Sequence, residues 1–226
     1  MDNFFLKLSI MLVPGLMAIT FHEVSHGVVA YIRGDNTAKS LGRLTLNPLK
    51  HLDIIGTLMI IVVGIGWAKP VPVNFNNLRS PKRDMIWVSL AGPVTNLILA
   101  ILSALLIRVI VPLTEPLPDS SLWQMFLEPI LLMLAFSVYI NLILALFNLM
   151  PLPPLDGGRV LMGLLPNRLA ANLSRVEPYG MIIIIVLVFF TDVFKYTILP
   201  MLSVMVHLLA GPQSRMVFSV TQYLMR

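Results

Sequence analysis

The chain has 226 residues, of which 57% are hydrophobic and 12% are charged, and its mean hydropathy is +0.86. Because a soluble domain carries about 25% charged residues, this composition predicts an integral membrane protein. The net charge of +5 comes from Lys and Arg residues that lie between apolar runs. The positive-inside rule explains these residues, so the charge does not require nucleic-acid binding. The absence of cysteine excludes disulfides, thiolate metal sites and a cysteine nucleophile.

The first apolar run, residues 4–32, is long enough to cross a hydrocarbon core of about 30 Å with some tilt. Its C-terminal half contains His22-Glu23-Val24-Ser25-His26. Residues four apart share one helix face, so both histidines can bind one divalent ion, and Glu23 then lies where a general base must be. Ionisable groups in a hydrocarbon-embedded helix have a high free-energy cost. This cost favours a metal site over the alternative interpretation, in which the two histidines are core residues and the glutamate is solvated.

The next region, residues 38–81, is broken by glycine, proline and basic residues. Residues 41–46 and 71–75 alternate like short strands, and the apolar run 54–65 is too short for a full crossing. We therefore expect a partly membrane-immersed β-hairpin or re-entrant region. Its polar side chains His51 and Asp53 are either interfacial residues or supports of the site.

The rest of the chain alternates apolar spans and polar links. We predict a second span over residues 85–111, a third over 122–150, a proline- and glycine-rich turn over 151–159, and a fourth span from 179 to about 190 within a C-terminal part, 179–226. Residues 201–209 are too short to cross alone, His207 is interpreted as interfacial, and residues 216–226 are expected to form an amphipathic tail.

These elements predict an all-α polytopic membrane protein with about four main transmembrane helices, folded as a single domain over residues 1–226. The links after the first and third spans are basic, whereas the link 112–121 is acidic. Basic links face the cytoplasm, so the N-terminus is expected outside. The C-terminal ends of the first and third spans then meet at the same cytoplasmic depth.

A catalytic zinc site usually has three protein ligands and one open position. A metzincin-type third histidine is excluded, because position 32 is isoleucine and position 29 is valine. The predicted topology leaves Asp156 and, less well, Asp53. Prolines before Asp156 and glycines after it favour a fixed, non-helical position. The alternative is an ordinary turn or N-cap aspartate at the membrane surface.

Two buried amides remain candidates for the site. Asn96 lies one turn beyond Gly92-Pro93 in the second span, and Asn148 lies just ahead of the proline turn. Either could orient a substrate carbonyl or stabilise an oxyanion. Either could equally form hydrogen bonds between helices, the commoner role of membrane amides.

Three motifs occur together: F-H-E-V-S-H-G in the first span, A-G-P-V-T-N in the second and N-L-M-P-L-P-P-L-D-G-G-R after the third. Jointly they resemble the site-2 protease family of intramembrane zinc metalloproteases, in a minimal form without a PDZ or CBS domain. One local departure is Ile54, where proline is expected in relatives. The resemblance implies one zinc ion per chain, bound by His22, His26 and Asp156, with Glu23 as catalytic base. The amides Asn96 and Asn148 match asparagines of the family's motifs.

The resemblance also implies the activity: hydrolysis within transmembrane helices of other membrane proteins, in regulated intramembrane proteolysis and often after a first cut by a site-1-type protease. The expected location is the cell membrane, with the active site toward the cytoplasm. A helical substrate must unwind before attack, and strand edges in residues 38–81 could receive it. The alternatives are a metal-binding membrane transporter, which needs no base beside its ligands, and a non-catalytic scaffold, which does not need these costly polar groups.

Overall fold

The computed structural model describes residues 4–56, 58, 66–114 and 122–224. Its α-helices are α1 (Phe4–Ile32), α2 (Thr37–Ser40), α3 (Pro81–Thr114), α4 (Leu122–Asn148), α5 (Asp156–Leu164), α6 (Asn167–Ser174), α7 (Gly180–Phe190), α8 (Val193–Tyr196), α9 (Ile198–Ala210) and α10 (Ser214–Leu224). Single 3₁₀ turns lie at Pro48–Lys50, Phe75–Asn77, Glu177–Tyr179 and Gly211–Gln213.

Within the described residues, five stretches of helix are able to cross a membrane by length and composition: Leu6–Ile32, Pro81–Leu113, Phe126–Asn148, Asn167–Phe190 and Val193–Leu224. The helical, multi-pass character of the chain is therefore confirmed, but the predicted count of four is not. The additional span arises because α8, α9 and α10 follow one another with only single turns between them.

Proline explains why this last span was missed. Pro200 directly precedes residues 201–209, and it is the third residue of α9. The N–H groups of the first helical turn have no intrahelical acceptor, so a proline there removes no hydrogen bond. Helix α9 thus begins at Ile198 and includes the residues that seemed too short to cross alone.

The predicted β-hairpin is also not confirmed. The described part of residues 38–81 contains no regular strand, and its two sides meet in one isolated antiparallel bridge between Leu52 and Ala68. Two prolines, Pro70 and Pro72, cannot donate to a ladder. The carbonyl groups of Lys69 and Pro70 accept hydrogen bonds from Nη2 of the Arg43 side chain and not from a neighbouring strand.

The predicted re-entrant run, residues 54–65, lies largely outside the described residues, because 57 and 59–65 are not among them. Residues 54–56 at its start are helical. Their side chains Ile54 and Ile55 are among the most exposed large apolar groups, with Ile54 89% exposed.

The chain divides into two compact units. The first contains residues 1–18, 96–146 and 192–226, and the second contains 19–95 and 147–191. In the first unit, a hydrogen bond between the hydroxyl groups of Ser103 and Ser137 joins α3 to α4, and Nη2 of Arg108 in α3 donates to the carbonyl of Leu208 in α9. Helix α10, which corresponds to the predicted amphipathic tail, buries one face through residues at helical spacing: Ser214, Val217, Val220, Thr221 and Leu224.

The second unit carries the residues singled out by the sequence. It includes the C-terminal part of α1, the connection to α3, the first part of α3, and helices α5 to α7. A small core forms where Ala30 of α1 and Val88 of α3 pack with Leu78 of the connection. This packing joins the motif-bearing end of α1 to the beginning of α3.

Candidate active site

Three side chains in the second unit meet at one point. The Nε2 atoms of His22 and His26 are 3.1 Å apart, and Oδ2 of Asp156 lies 3.2 Å from the first and 3.3 Å from the second. All three side chains are buried, with at most 9% of each residue exposed. Among the described residues, they form a group of His and carboxylate ligands able to share one metal ion.

The ring of His26 is oriented by a main-chain group of α3. Its Nδ1 lies 2.7 Å from the carbonyl oxygen of Val88. A carbonyl only accepts hydrogen bonds, so Nδ1 carries the proton and donates. Nε2 of the neutral ring is then left with its lone pair directed at His22 and Asp156, as a metal ligand requires.

The donor set fits a divalent metal ion. Ligand atoms about 2.0–2.1 Å from a tetrahedral zinc ion lie about 3.3 Å apart, which matches the three distances between these side chains. Oδ2 of Asp156 is buried and accepts no hydrogen bond within the described part of the chain. A buried carboxylate oxygen of this kind is costly unless a cation binds it.

Asp156 is the first residue of α5, so the prediction of a non-helical position is wrong. The helix begins close to the preceding turn because of its two glycines. A Cβ on Gly157 would lie 2.3 Å from the carbonyl oxygen of Leu149, and a Cβ on Gly158 would lie 2.3 Å from the nitrogen of Pro153. These contacts leave no room for a side chain and fix the position from which Asp156 reaches the histidines.

Gly92 of α3 faces the two histidines. A Cβ on this residue would lie 2.5 Å from Nε2 of His26 and 2.6 Å from Nε2 of His22. Any side chain at this position would therefore occupy the space around the ligand atoms. The motif A-G-P-V-T-N, which contains Gly92, does not by itself predict this contact. Its signal is a glycine within an apolar helix, which often marks the close approach of another element.

Glu23 is half-buried and its carboxylate is held by the main chain. The N–H of Val71 donates to Oε2 of Glu23 over 2.7 Å. Val71 lies in the connection between α1 and α3 and is itself buried, 6% exposed. The sequence did not indicate this partner, because every residue except proline has a main-chain N–H and residue type does not show which one binds Glu23.

The other polar candidates lie apart from this group. Nε2 of His51, which is buried, is 2.8 Å from the carbonyl oxygen of Thr45, to which it donates. Oδ1 of Asp53 accepts from the N–H of Gly56. His207 donates through Nδ1 to the carbonyl of Ser203, one turn earlier in α9. The structure therefore groups Asp156, and not Asp53, with the two histidines.

Asn96 is fully buried in the first unit. Its Nδ2 donates to the carbonyl of Ala18 in α1 over 3.2 Å and to Oδ1 of Asn141 in α4 over 2.8 Å. These bonds support the packing interpretation of Asn96. Asn148 is the last residue of α4 and is half-buried.

Comparison with known proteins matches residues 118–191 to the model of Peptidase family M50. The "Putative zinc metalloprotease YwhC" of Bacillus subtilis is 42% identical over 90% of this chain and 92% of its own length. The similarly named Rip2 of Mycolicibacterium smegmatis is 31% identical over 76% of this chain and 63% of its own length. No solved structure matches the chain.

These comparisons confirm the resemblance drawn from the three motifs. The relative from Bacillus subtilis aligns along nearly the whole chain, so the similarity is not confined to the histidine motif. The family and the names of the relatives also bear out the predicted zinc cofactor. The chain belongs to peptidase family M50, the site-2 protease family, and is a zinc metalloprotease.

Proposed function

We propose that this metalloprotease hydrolyses peptide bonds within or near the transmembrane helices of membrane protein substrates, as a step of regulated intramembrane proteolysis. One observation carries the proposal. The clustered side chains His22 and His26, with Glu23 between them, lie on α1, whose residues Leu6–Ile32 are apolar and long enough to cross a membrane. An active site on a membrane-spanning helix can act on substrates that lie in the bilayer themselves.

The ligands in this proposal are His22, His26 and Asp156, which would hold one zinc ion per chain and leave one position open. When bound, zinc polarises a scissile carbonyl and makes water acidic enough to act as nucleophile near neutral pH. The Nδ1–H of His26 stays bonded to Val88, which keeps that ring in its tautomer. Gly92 keeps the space beside both rings free of a side chain.

Glu23 acts as the general base and later as the general acid. It takes a proton from the attacking water and returns that proton to the leaving amine, a function worth about 10²–10⁴ in rate. The carboxylate has two oxygens, and the N–H of Val71 binds Oε2. This bond fixes the orientation of the side chain without removing its capacity to accept a proton.

A helical substrate hides its carbonyl groups in hydrogen bonds from residue i to i−4, so it must unwind before attack. Main chain near Glu23 is suited to receive it. Lys69 and Val71 each precede a proline, which favours extended backbone, and Asn74 is extended. We include pairing of the unwound substrate with this segment by β-augmentation in the proposal.

We further propose that the protein lies in the cell membrane with its active site toward the cytoplasm. The basic links after the first and third spans support this orientation. The substrate is then a membrane protein presented from the bilayer, in many cases after a first cut by a site-1-type protease. Arg159 of α5 would lie on the same side, where its Nη2 is 3.4 Å from Oε1 of Glu177 in the 3₁₀ turn before α7.

The test uses native chain and Glu23→Gln, each co-expressed with a panel of single-span reporter proteins. We expect a clipped reporter fragment with the native chain only, and about one zinc per chain in both purified proteins, because Glu23 is not a ligand in the proposal. Cleavage by Glu23→Gln at the native rate would remove Glu23 from the mechanism. Zinc loss in that variant would make it a ligand instead of a base.

A further inference from the structure

Asp35 is completely buried just beyond the end of α1, and the described donors around it are uncharged. Its Oδ1 accepts from the N–H and the hydroxyl of Thr37 and from Nδ2 of Asn77. Its Oδ2 accepts from the N–H of Asn74 over 2.8 Å. The mechanism described above does not use this carboxylate, although burying it requires these bonds.

Two of these donors belong to one short segment, residues 71–77, which we call the arm. At one end of the arm, Asn74 and Asn77 are bound to Asp35. Three residues before Asn74, the N–H of Val71 binds Glu23. The arm therefore has one end on Asp35, after the last turn of α1, and the other on Glu23, within the same helix.

Close packing accompanies these bonds. A Cβ on Gly27, one turn after Glu23, would lie 2.9 Å from Cγ1 of Val71. A Cβ on Gly34 would lie 3.2 Å from the carbonyl oxygen of Asn77, and the N–H of Arg79 donates to the carbonyl of Arg33. The arm thus packs on Gly27 within α1 and on Gly34 just after the helix ends.

We infer that Asp35 is a positioning residue for the reaction: by fixing the arm at Asn74, it holds the Val71 N–H on the carboxylate of Glu23. This inference rests on the proposed function, since it assumes that Glu23 is the base. Catalytic groups must be held within a fraction of an ångström of the productive geometry, and losses of about 10²-fold accompany a displacement of about 1 Å. A short carboxylate-bound segment supplies such a constraint.

The substitution Asp35→Asn breaks the arm contact selectively. An asparagine can place its oxygen where three donors converge, at the position of Oδ1. Its NH₂ group then faces the N–H of Asn74, and two donors cannot bond to each other. Thr37→Val is the matched control, because it removes the hydroxyl donor to Asp35 but leaves the bond to Asn74 in place.

Amide hydrogen exchange of the purified, zinc-loaded full chain in detergent tests the inference without any substrate. We expect exchange at the amides of Val71 and Asn74 to be at least about tenfold faster in Asp35→Asn, and unchanged in Thr37→Val. Exchange at the Val71 amide should also rise in Glu23→Gln, which weakens its acceptor. Native exchange at Val71 in Asp35→Asn would overturn the inference.

The activity measurement uses the reporter that the native chain clips and Glu23→Gln does not. In Asp35→Asn we expect kcat to fall about tenfold or more, with KM and zinc content within about twofold of native. The variant Val71→Pro removes the N–H donor itself, and Val71→Ala measures the loss of the side chain alone. Because Asp35 acts through this donor, adding Asp35→Asn to Val71→Pro should lower kcat no further.

The outcomes separate this inference from the proposed function. Inactive Glu23→Gln together with native kcat in Asp35→Asn would overturn the positioning role and leave the base assignment standing. Native activity in Glu23→Gln would overturn the base assignment first. A further tenfold loss from Asp35→Asn in the Val71→Pro background would show that Asp35 acts by another route.

Discussion

Gly92 of α3 and His22 of α1 are in such close contact that no side chain fits between them. A Cβ on Gly92 would lie 2.5 Å from Cε1 of His22. Real Cβ atoms do not approach heavy atoms this closely, so one of the two helices or the imidazole ring would have to move. The glycine therefore determines the distance between α3 and the histidines of the proposed zinc site.

Gly92→Ala is expected to displace the rings of His22 and His26 and to lower zinc affinity by at least about tenfold. Zinc content after dialysis against graded chelator measures this. Gly15→Ala is the control, because a Cβ on Gly15 meets nothing within 4 Å and alanine is a better helix former. Equal zinc retention in the two variants would contradict the role given to Gly92.

The choice of the third ligand is tested by two asparagine variants. Asp156→Asn should release zinc and abolish cleavage, since it removes the carboxylate that lies 3.2 and 3.3 Å from the two histidine nitrogens. Asp53→Asn weakens a hydrogen bond to the N–H of Gly56 and should cost about 1 kcal/mol of stability, with zinc retained. Zinc lost only from Asp53→Asn would move the third ligand into residues 38–81.

The site was predictable where residue type carries the chemistry. The spacing of His22 and His26 places both rings on one helix face. The charge asymmetry between the links predicts a topology in which Asp156 lies at the same depth in the membrane as the two histidines. The membrane-spanning helices were equally predictable, because an apolar run of about 20 residues in a membrane must satisfy its main-chain hydrogen bonds internally, as a helix does. The structure groups the same three side chains.

The remaining contacts could not be predicted, because they involve the main chain. The carbonyl of Val88 binds His26, and the N–H of Val71 binds Glu23. Almost every residue type has these main-chain groups, so the sequence does not reveal which of them contact the site. The strands predicted for residues 41–46 and 71–75 depended on alternation alone. Arg43 binds the carbonyls that a ladder would use, and Pro70 and Pro72 provide no donors.

Asn96→Ala distinguishes packing from catalysis. Because Nδ2 of Asn96 already bonds to Ala18 and Asn141, we expect a stability loss of about 0.6–1.7 kcal/mol, typical of hydrogen bonds between membrane helices, with kcat retained. Asn141→Ala should destabilise by a similar amount, and the double variant by less than the sum. A fall of about 10²–10³ in kcat for Asn96→Ala would instead indicate an oxyanion donor.

The orientation is tested by labelling single cysteines with a membrane-impermeant reagent, which is clean because the chain has no cysteine. Asp119→Cys, in the acidic link, should react in intact cells, and Arg168→Cys should react only after the membrane is opened. The reverse pattern would place the proposed zinc site toward the outer face. It would also remove the reason for expecting a cytoplasmic active site.

The buried carboxylate of Asp35 predicts how the arm responds to acid. Burial alone would raise the pKa of Asp35, but the hydrogen bonds from Thr37, Asn77 and Asn74 stabilise the charged form and hold the pKa below its usual value. A carboxylate with a lowered folded pKa stabilises the fold fully above its unfolded pKa of about 3.9. That contribution is lost as the pH falls through the folded pKa.

The amide introduced by Asp35→Asn does not titrate, so the difference between the native chain and this variant isolates the carboxylate. We expect native chain to melt at a higher temperature than Asp35→Asn by a constant amount between about pH 5 and pH 7, and the gap to narrow below about pH 4. Melting curves in detergent at stepped pH measure it. A gap that already closes as the pH falls from about 7 to about 5 would mean that the folded pKa is raised. The hydrogen bonds to Thr37, Asn74 and Asn77 would then not stabilise the charged carboxylate.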